Sequence, residues 1–519
     1  MQRPEQTLSR LRSAIRPEWT ITFFSALVFG LAAHFYKLTN WLPNWDSLVF
    51  RYDAQDMLHF GRYFLSLACG FSSYYDLPWL NGLLSLLLLA CAAAVIADLF
   101  QFHEKVPLVL TGALVAVFPT VTSTLSSYNY VADGYCLALL LACLSARFFT
   151  RSGKFAFFAG AACLWISVGI YQAYITLTIT LLLLFLLDDL LFGTRSVSHS
   201  LRSAGRFLAG GVLAGAVYLV VLKLLLWSAG TQLSDYQSID SVGSSFQLST
   251  SVYQCTVRFI KFFLDYRQGI GAWFLLNLLL LALLAVFVLS SLVQQHLHRE
   301  PARLVLVLVY LAALPFGASA LYFLDPFVDY HNLMTMGYCV FYLAFVLFYE
   351  HLNERPRFSA LKNWSILLVG GAVVFNCIVL ANVCYHLAQL SYERSYSIAI
   401  RMADRIEQLD DAESCTKLAV LGTLPGSELY SADLSLNMTG FTEGLLLRPD
   451  DPTVNQSVLT TTLNDYCALD LEFVSHDEKE QLLQLPEVQQ MPLWPQTGSV
   501  AVVGDTIVIR VGEGVDISG

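Results

Sequence analysis

Four carboxylates, Asp46, Asp53, Asp56 and Asp76, stand in the single stretch Thr39–Leu77 between two long apolar runs. Asp133 opens another apolar run, just after Tyr128-Asn129-Tyr130, and Asp325, Asp329 and His331 crowd a short connector before a later one. Cations accompany them: Arg62 in the first stretch, Lys223 within an apolar run, and Arg258 and Lys261 in the connector Ser228–Gly269. A carboxylate suits general-base work on a hydroxyl, and Arg or Lys suits an anion whose charge grows in a transition state. Charges in or beside such runs are costly and are read as functional by default. Each also has a plainer reading. A lone loop carboxylate is ordinarily solvated, Asp133 suits the N-terminal end of a helix, and Lys223 suits a side chain that snorkels to the headgroups. Asp188 and Asp189 read as a solvated boundary. No His/Cys/Asp cluster has the spacing of a dedicated metal site, so no cofactor is assigned and a divalent metal is left open. Gly210-Gly211 has no adjacent strand or Lys-Ser/Thr and reads as helix packing, not a nucleotide loop.

The elements that must position these groups follow from composition. Of 519 residues, 56% are apolar and only 13% charged, with a net charge of -10. A soluble domain has about 25% charged residues. Half that, with no basic field, excludes an ordinary cytosolic enzyme, a disordered chain and a nucleic-acid binder. The class is a polytopic α-helical membrane protein. Charge is unevenly spread: from Ser391 onward there are 21 acidic and 7 basic residues, against 19 and 23 before it. Two domains are therefore expected, a membrane part at 1–390 and an acidic water-soluble domain at 391–519.

With about 20 apolar residues needed per crossing, eleven spans are expected: 21–38, 78–100, 106–122, 130–149, 155–169, 172–191, 205–229, 270–293, 303–321, 332–350 and 363–388. The long stretch Phe155–Leu191 is split at Gly169-Ile170-Tyr171-Gln172, because one straight helix of that length would overshoot the bilayer. With the N-terminus inside, sixteen basic residues flank the inner ends and six the outer ones, the sign of the positive-inside rule. An odd number of spans then puts the acidic domain outside. The two long outer loops, Thr39–Leu77 and Ser228–Gly269, mix apolar residues with charges, which predicts amphipathic helices at the interface roofing a cavity between spans.

The C-terminal stretch reads as a small α/β domain. Ala399, Met402, Ile406 and Leu409 mark one helix face. Lys417–Leu421 reads as a strand, and 499–503 and 506–511 flank Gly504-Asp505 as a hairpin. Its two cysteines, Cys415 and Cys467, are a disulfide candidate in an oxidising exterior, with two buried free thiols as the alternative.

Several residues in order carry a resemblance. They are Asn44-Trp45-Asp46 after the first span, Gly61-Arg62, Asp76-Leu-Pro78-Trp79-Leu-Asn-Gly82 opening the second span, and Pro119 ending the third. Val131-Ala-Asp133-Gly-Tyr135 opens the fourth, Tyr171-Gln172 lies between two spans, and a long helix from Asn382 through Leu409 follows the last. This pattern resembles the Gtr type II family of bacterial O-antigen glucosyltransferases, membrane enzymes of the GT-C class. The resemblance implies transfer of a hexose, glucose, from a polyprenyl-phosphate donor to a cell-surface polysaccharide on the outer face of the bacterial cytoplasmic membrane. It implies a lipid-linked sugar, a glycan acceptor and the bilayer as partners, no nucleic acid, and a companion flippase and donor-lipid synthase. Its first-loop acid maps to Asp46 as catalytic base. The family often has two adjacent acids there, whereas Ser47 follows here, so the second acid is lost or Asp53 or Asp56 takes its place. Arg62 first, then Lys223, Arg258 and Lys261, would hold the donor phosphate. Asp53, Asp76, Trp79, Tyr128, Asp133, Tyr171, Gln172, Asp329 and His331 would line the sugar and acceptor. The alternatives are a transporter or flippase of lipid-linked sugars, disfavoured by the absence of internal repeats, and a structural partner of a glycan machine.

Overall fold

Lipid offers no partner to backbone N–H and C=O groups, so long Leu- and Ala-rich runs satisfy them internally as helices. In the computed structural model, which describes residues 13, 15–43, 47–48, 54–72, 74–193, 195–234, 247–265, 272–351, 359–422 and 452–512, ten helices are long and apolar enough to cross a membrane. An eleventh apolar helix, Lys154–Ile170, has 17 residues. Asp46 and Asp53 lie outside the described residues.

The described chain forms two compact units. The first takes the described residues of 1–39, 53–125 and 129–382. Its helices are α1 (Pro17–Thr39), α2 (Leu65–Cys69), α3 (Pro78–Phe100), α4 (Lys105–Val117), α5 (Pro119–Ser127) and α6 (Ala132–Thr150). They continue with α7 (Lys154–Ile170), α8 (Ile175–Leu191), α9 (Val197–Ala229), α10 (Leu248–Leu264), α11 (Trp273–Gln294), α12 (Pro301–Ala318) and α13 (Cys339–His351). Last come α14 (Ser359–Ser365), a π-helical turn at Ile366–Gly370, and α15 (Gly371–Glu407), whose residues from 383 on belong to the second unit. The predicted break in the long stretch is real. Tyr171 is extended (φ −152°) between α7 and a 3-10 turn at Gln172–Tyr174. Pro119 does not end its span, as the sequence suggests; it divides it. Phe118 leaves helical geometry (φ −58°, ψ 142°), the conformation a following proline favours, and its carbonyl then accepts from Val121 at 2.8 Å to restart the helix as α5.

Burial separates the middle of this unit from its rim. The spans at Lys105–Ser127 and Asn332–His351 are each 94% buried, whereas α9 and α11 are 17% and 22% buried and turn their apolar faces outward, as helices against lipid do. At the end of α3, Asp98 is 8% exposed and meets Arg147 at 2.6 Å, Arg16 at 3.1 Å and the Trp19 indole at 3.2 Å. Asp188 and Asp189 are not the solvated boundary the sequence suggests. They are 18% and 12% exposed and pair with His351 at 2.9 Å and Arg195 at 3.5 Å. A cavity of about 480 Å³ lies among these side chains.

Of the expected interfacial helices, the second loop provides one among the described residues. α10 buries Ser251, Cys255, Phe262 and Phe263, exposes Tyr253 and Ile260, and is pinned by Ser251 Oγ donating to the Tyr322 carbonyl at 2.6 Å. The described part of the first loop has instead a 3-10 turn at Leu58–Phe60 and the five-residue α2.

The second unit takes the described residues of 40–52, 126–128 and 383–519. Two of its segments thus come from far upstream in the chain. Its helices are the end of α15, α16 (Pro452–Cys467), α17 (His476–Gln484) and α18 (Pro486–Gln489). Its strands are β1 (Lys417–Leu421), β2 (Glu472–Phe473), β3 (Val500–Val503) and β4 (Thr506–Arg510), in the order β2-β1-β4-β3, with β1 parallel to both neighbours. β3 and β4 form the predicted two-residue hairpin, with Gly504 at φ +64°. Alternation splits the sheet: Leu418, Val420, Ile507 and Ile509 face the core shared with Ala399, Met402 and Ile406, while Ala419, Leu421 and Val508 face a second, smaller core. Cys415 and Cys467 are free thiols and the disulfide is not formed. Cys415 is buried in the first core with its thiol toward the Asp411 carbonyl at 3.6 Å, and Cys467 packs against that core.

Candidate active site

The Gly61-Arg62 pair makes a tight turn. Phe60 and Arg62 both donate to the Met57 carbonyl at 3.0 Å, and Gly61 donates to Leu58 at 2.9 Å with φ +72°, a left-handed conformation that costs a β-carbon-bearing residue about 1–2 kcal/mol. A β-carbon on Gly61 would also collide with the Tyr218 hydroxyl. The turn is clamped from two spans: Gln172 Nε2 donates to the Phe60 carbonyl at 2.8 Å, and the Tyr218 hydroxyl donates to the Gly61 carbonyl at 3.0 Å. Arg62 is thereby aimed at the start of α6. Its guanidinium donates to the Tyr135 hydroxyl at 3.0 Å and lies 5.1 Å from the centroid of the Tyr171 ring, which itself stacks on Tyr135 at 4.3 Å.

A second guanidinium arrives from α10. Arg258 donates to the Asn332 side-chain oxygen at 3.3 Å and lies 5.4 Å over the Tyr330 ring. The charges of Asp329, Arg62 and Arg258 all act on the ring of His331. Burial pushes the imidazole down to about 4; Asp329 opposes this, and the two guanidiniums add to it. Among the described residues the site therefore brings two guanidiniums, an imidazole that is neutral at neutral pH and the exposed side chain of Asp329. Forked guanidiniums held over aromatic faces are suited to planar recognition of phosphate oxygens.

A separate polar group gathers at the same end. Asp76 accepts from Asn129 Nδ2 at 2.7 Å and faces the ammonium of Lys37, which is 1% exposed at the end of α1.

The structure sorts the residues singled out from the sequence. It brings together Arg62, Arg258, His331, Asp329, Tyr171 and Gln172. Tyr171, at 3% exposure, supports the Arg62 guanidinium and has no free face for a sugar, and Gln172 holds the turn. Lys223 and Lys261 have exposed side chains and no contact with this cluster among the described residues, so they do not join it. Trp79 is half exposed. Asp133, at 2% exposure, accepts from its neighbour Gly134 and sits beside Ser72 and Cys69, beneath the surface. Asp56 is exposed, Asp325 accepts from the Phe327 amide at 3.0 Å, and Tyr128 belongs to the second unit. Sequence reasoning missed Tyr135, Tyr218, Tyr330, Asn332 and Lys37 as parts of these arrangements. Tyr135 was within reach, because it stands two residues beyond Asp133. Tyr218 had no local signal, since its partner Gly61 is far away in the chain. Among the described residues no group of three or more His, Cys, Asp or Glu side chains is arranged to hold a metal ion.

The family model described as glucosyl transferase GtrII matches residues 35–348, more than half of the chain. That range contains both guanidiniums, His331 and Asp76. No curated protein matches, and no solved structure matches.

Proposed function

Because the chain belongs to the glucosyl transferase GtrII family and is therefore a membrane glycosyltransferase, we propose that its donor is a polyprenyl-phosphate glucose, bound at the extracytoplasmic ends of the spans with its phosphate on Arg62 and Arg258. The observation that supports this reading is that both guanidiniums are held over tyrosine rings, Arg62 by Tyr135 and Tyr171 and Arg258 by Asn332 and Tyr330. A lipid phosphate accumulates charge as it leaves, and fixed forked donors stabilise that charge. The lipid tail would lie along the apolar span faces.

In the proposed step an acceptor hydroxyl of a cell-surface polysaccharide attacks the anomeric carbon of glucose. The new C–O bond forms as the bond to phosphate oxygen breaks. The electron pair leaves with the polyprenyl phosphate, and the hydroxyl proton passes to a carboxylate. Asp46 is the base this reading assigns, from its place just beyond α1. Asp76, held by Asn129 and facing Lys37, would bind acceptor or sugar hydroxyls. The N-terminus would be cytoplasmic and the C-terminal domain extracytoplasmic, in a bacterial cytoplasmic membrane; the excess of Lys and Arg at the inner ends supports that orientation.

The test is glucose transfer by purified protein from labelled polyprenyl-phosphate glucose to O-polysaccharide. Asp46→Asn, with folding verified, is expected to lose at least 100-fold in kcat. Transfer at the wild-type rate would remove Asp46 from the base position.

A further inference from the structure

The family match ends at residue 348, before the C-terminal domain begins, and nothing so far gives that domain a task. Its core supplies one. Leu48, from the loop that follows α1, is 3% exposed inside the domain's main apolar core with Ile398, Met402, Val458 and Leu463. Ser47 beside it is 0% exposed, and Leu42 is 4% exposed. Trp41 packs against the same core and meets Tyr466 of α16 at 5.9 Å between ring centroids. Tyr466 in turn lies 5.4 Å from Tyr396 and 6.4 Å from Tyr392 on α15. Both flanks of Asp46 are thus built into a domain that comes more than three hundred residues later in the chain.

We propose that the C-terminal domain is a positioning element for the first outer loop, with Trp41 and Leu48 as the two anchors that hold it. The inference rests on the reading of that loop as the carrier of the catalytic carboxylate. It adds that the domain acts on turnover through the loop, beyond shielding a cavity. Two physical points favour it. Connecting loops ordinarily run over the surface, whereas this one gives up a Trp and a Leu to a core built by a later part of the chain. Anchoring at Trp41 and Leu48 supplies what a base carried between them would require to reach a hydroxyl with fixed geometry.

The experiment compares full-length Leu48→Ala and Trp41→Ala with Val508→Ala, which truncates the domain's other core at a residue that is 0% exposed. Donor KM and kcat for transfer from labelled polyprenyl-phosphate glucose to O-polysaccharide are measured, together with hydrogen exchange of peptides covering 40–52. Leu48→Ala and Trp41→Ala are expected to lower kcat at least tenfold, leave donor KM within twofold and release exchange protection in 40–52. Val508→Ala, matched for lost thermal stability, is expected to keep kcat within twofold, and Leu48→Met and Trp41→Phe to restore most of it. Equal losses in all three truncations would overturn the proposal, and so would released exchange with unchanged kcat. Should Asp46→Asn prove active, the base assignment falls alone, because the kcat contrast between Leu48→Ala and Val508→Ala still decides whether the loop must be held.

Discussion

Arg62 and Arg258 differ from Lys223 and Lys261 in what lies beneath them. Each guanidinium rests on a tyrosine ring and donates to a side-chain oxygen, while the two lysines are exposed. Arg62→Lys keeps the charge but loses the fork and the planar stack. It is expected to cut transfer about 10- to 100-fold, equivalent to roughly 1.4–2.8 kcal/mol, whereas Lys261→Ala should change it less than twofold. Steady-state kinetics on the purified variants checks both. His331 makes a second prediction. Its pKa falls from 6.5 to about 4 on folding, so between those values the unfolded chain binds more protons than the folded one. Stability is then unaffected by this group above pH 6.5 and is lost as pH falls toward 4, by on the order of 2–3 kcal/mol. Arg62, Arg258 and Asp329 are the charges that face it. Thermal unfolding between pH 4 and 7 should show a shallower acid decline in His331→Gln than in wild type; parallel declines would contradict the assignment. The sequence made the candidate residue types legible and not their directions. Arg258 and Lys261 sit three residues apart on α10, and only tertiary packing turns one inward and the other out.

Among the elements, the turn at Leu58–Arg62 does more than its length suggests. It is held by Gln172 from the start of one span and Tyr218 from the middle of another, and Gly61 is the residue whose backbone permits it. Gly61→Ala is expected to cost about 2 kcal/mol or more, from the left-handed backbone and the clash with Tyr218. It should also reduce transfer at saturating donor by moving Arg62. A thermal midpoint and a kcat equal to wild type would contradict this role. Hydropathy located the spans, because lipid demands a full length of apolar helix, and the interruption at Tyr171 was visible as a stretch too long for one crossing. In the loop that follows α1, the described apolar residues serve different ends. Phe64 packs 5.4 Å from Trp165 while Leu48 enters the C-terminal core, and alternation within a loop does not say which neighbour takes which side chain. Pro119 was read as a stop, but a proline can divide a buried span whose flanking residues are fixed by neighbours.

For the molecule as a whole, the two ends of the first unit are built differently. One is closed by ion pairs centred on Asp98, and removing one partner of such a buried pair leaves a charge without compensation. Asp98→Ala is expected to destabilise the protein by about 3–5 kcal/mol with donor KM unchanged in the surviving fraction, which unfolding and kinetics on the same preparation would separate. The other end carries guanidiniums over aromatic rings and a half-buried imidazole, an arrangement poised for an anion. The fold class and the acidic terminal domain were legible because composition and charge change sharply along the chain. The packing of Trp41 and Leu48 into that domain's core was not, because no local pattern encodes a contact across so long a separation. Binding of labelled polyprenyl-phosphate glucose to the purified protein in neutral lipid vesicles decides whether the paired guanidiniums are the donor site. The double variant Arg62→Ala with Arg258→Ala, folded as judged by its unfolding transition, is expected to weaken binding at least 100-fold. Affinity equal to wild type would place the donor elsewhere and contradict the reading.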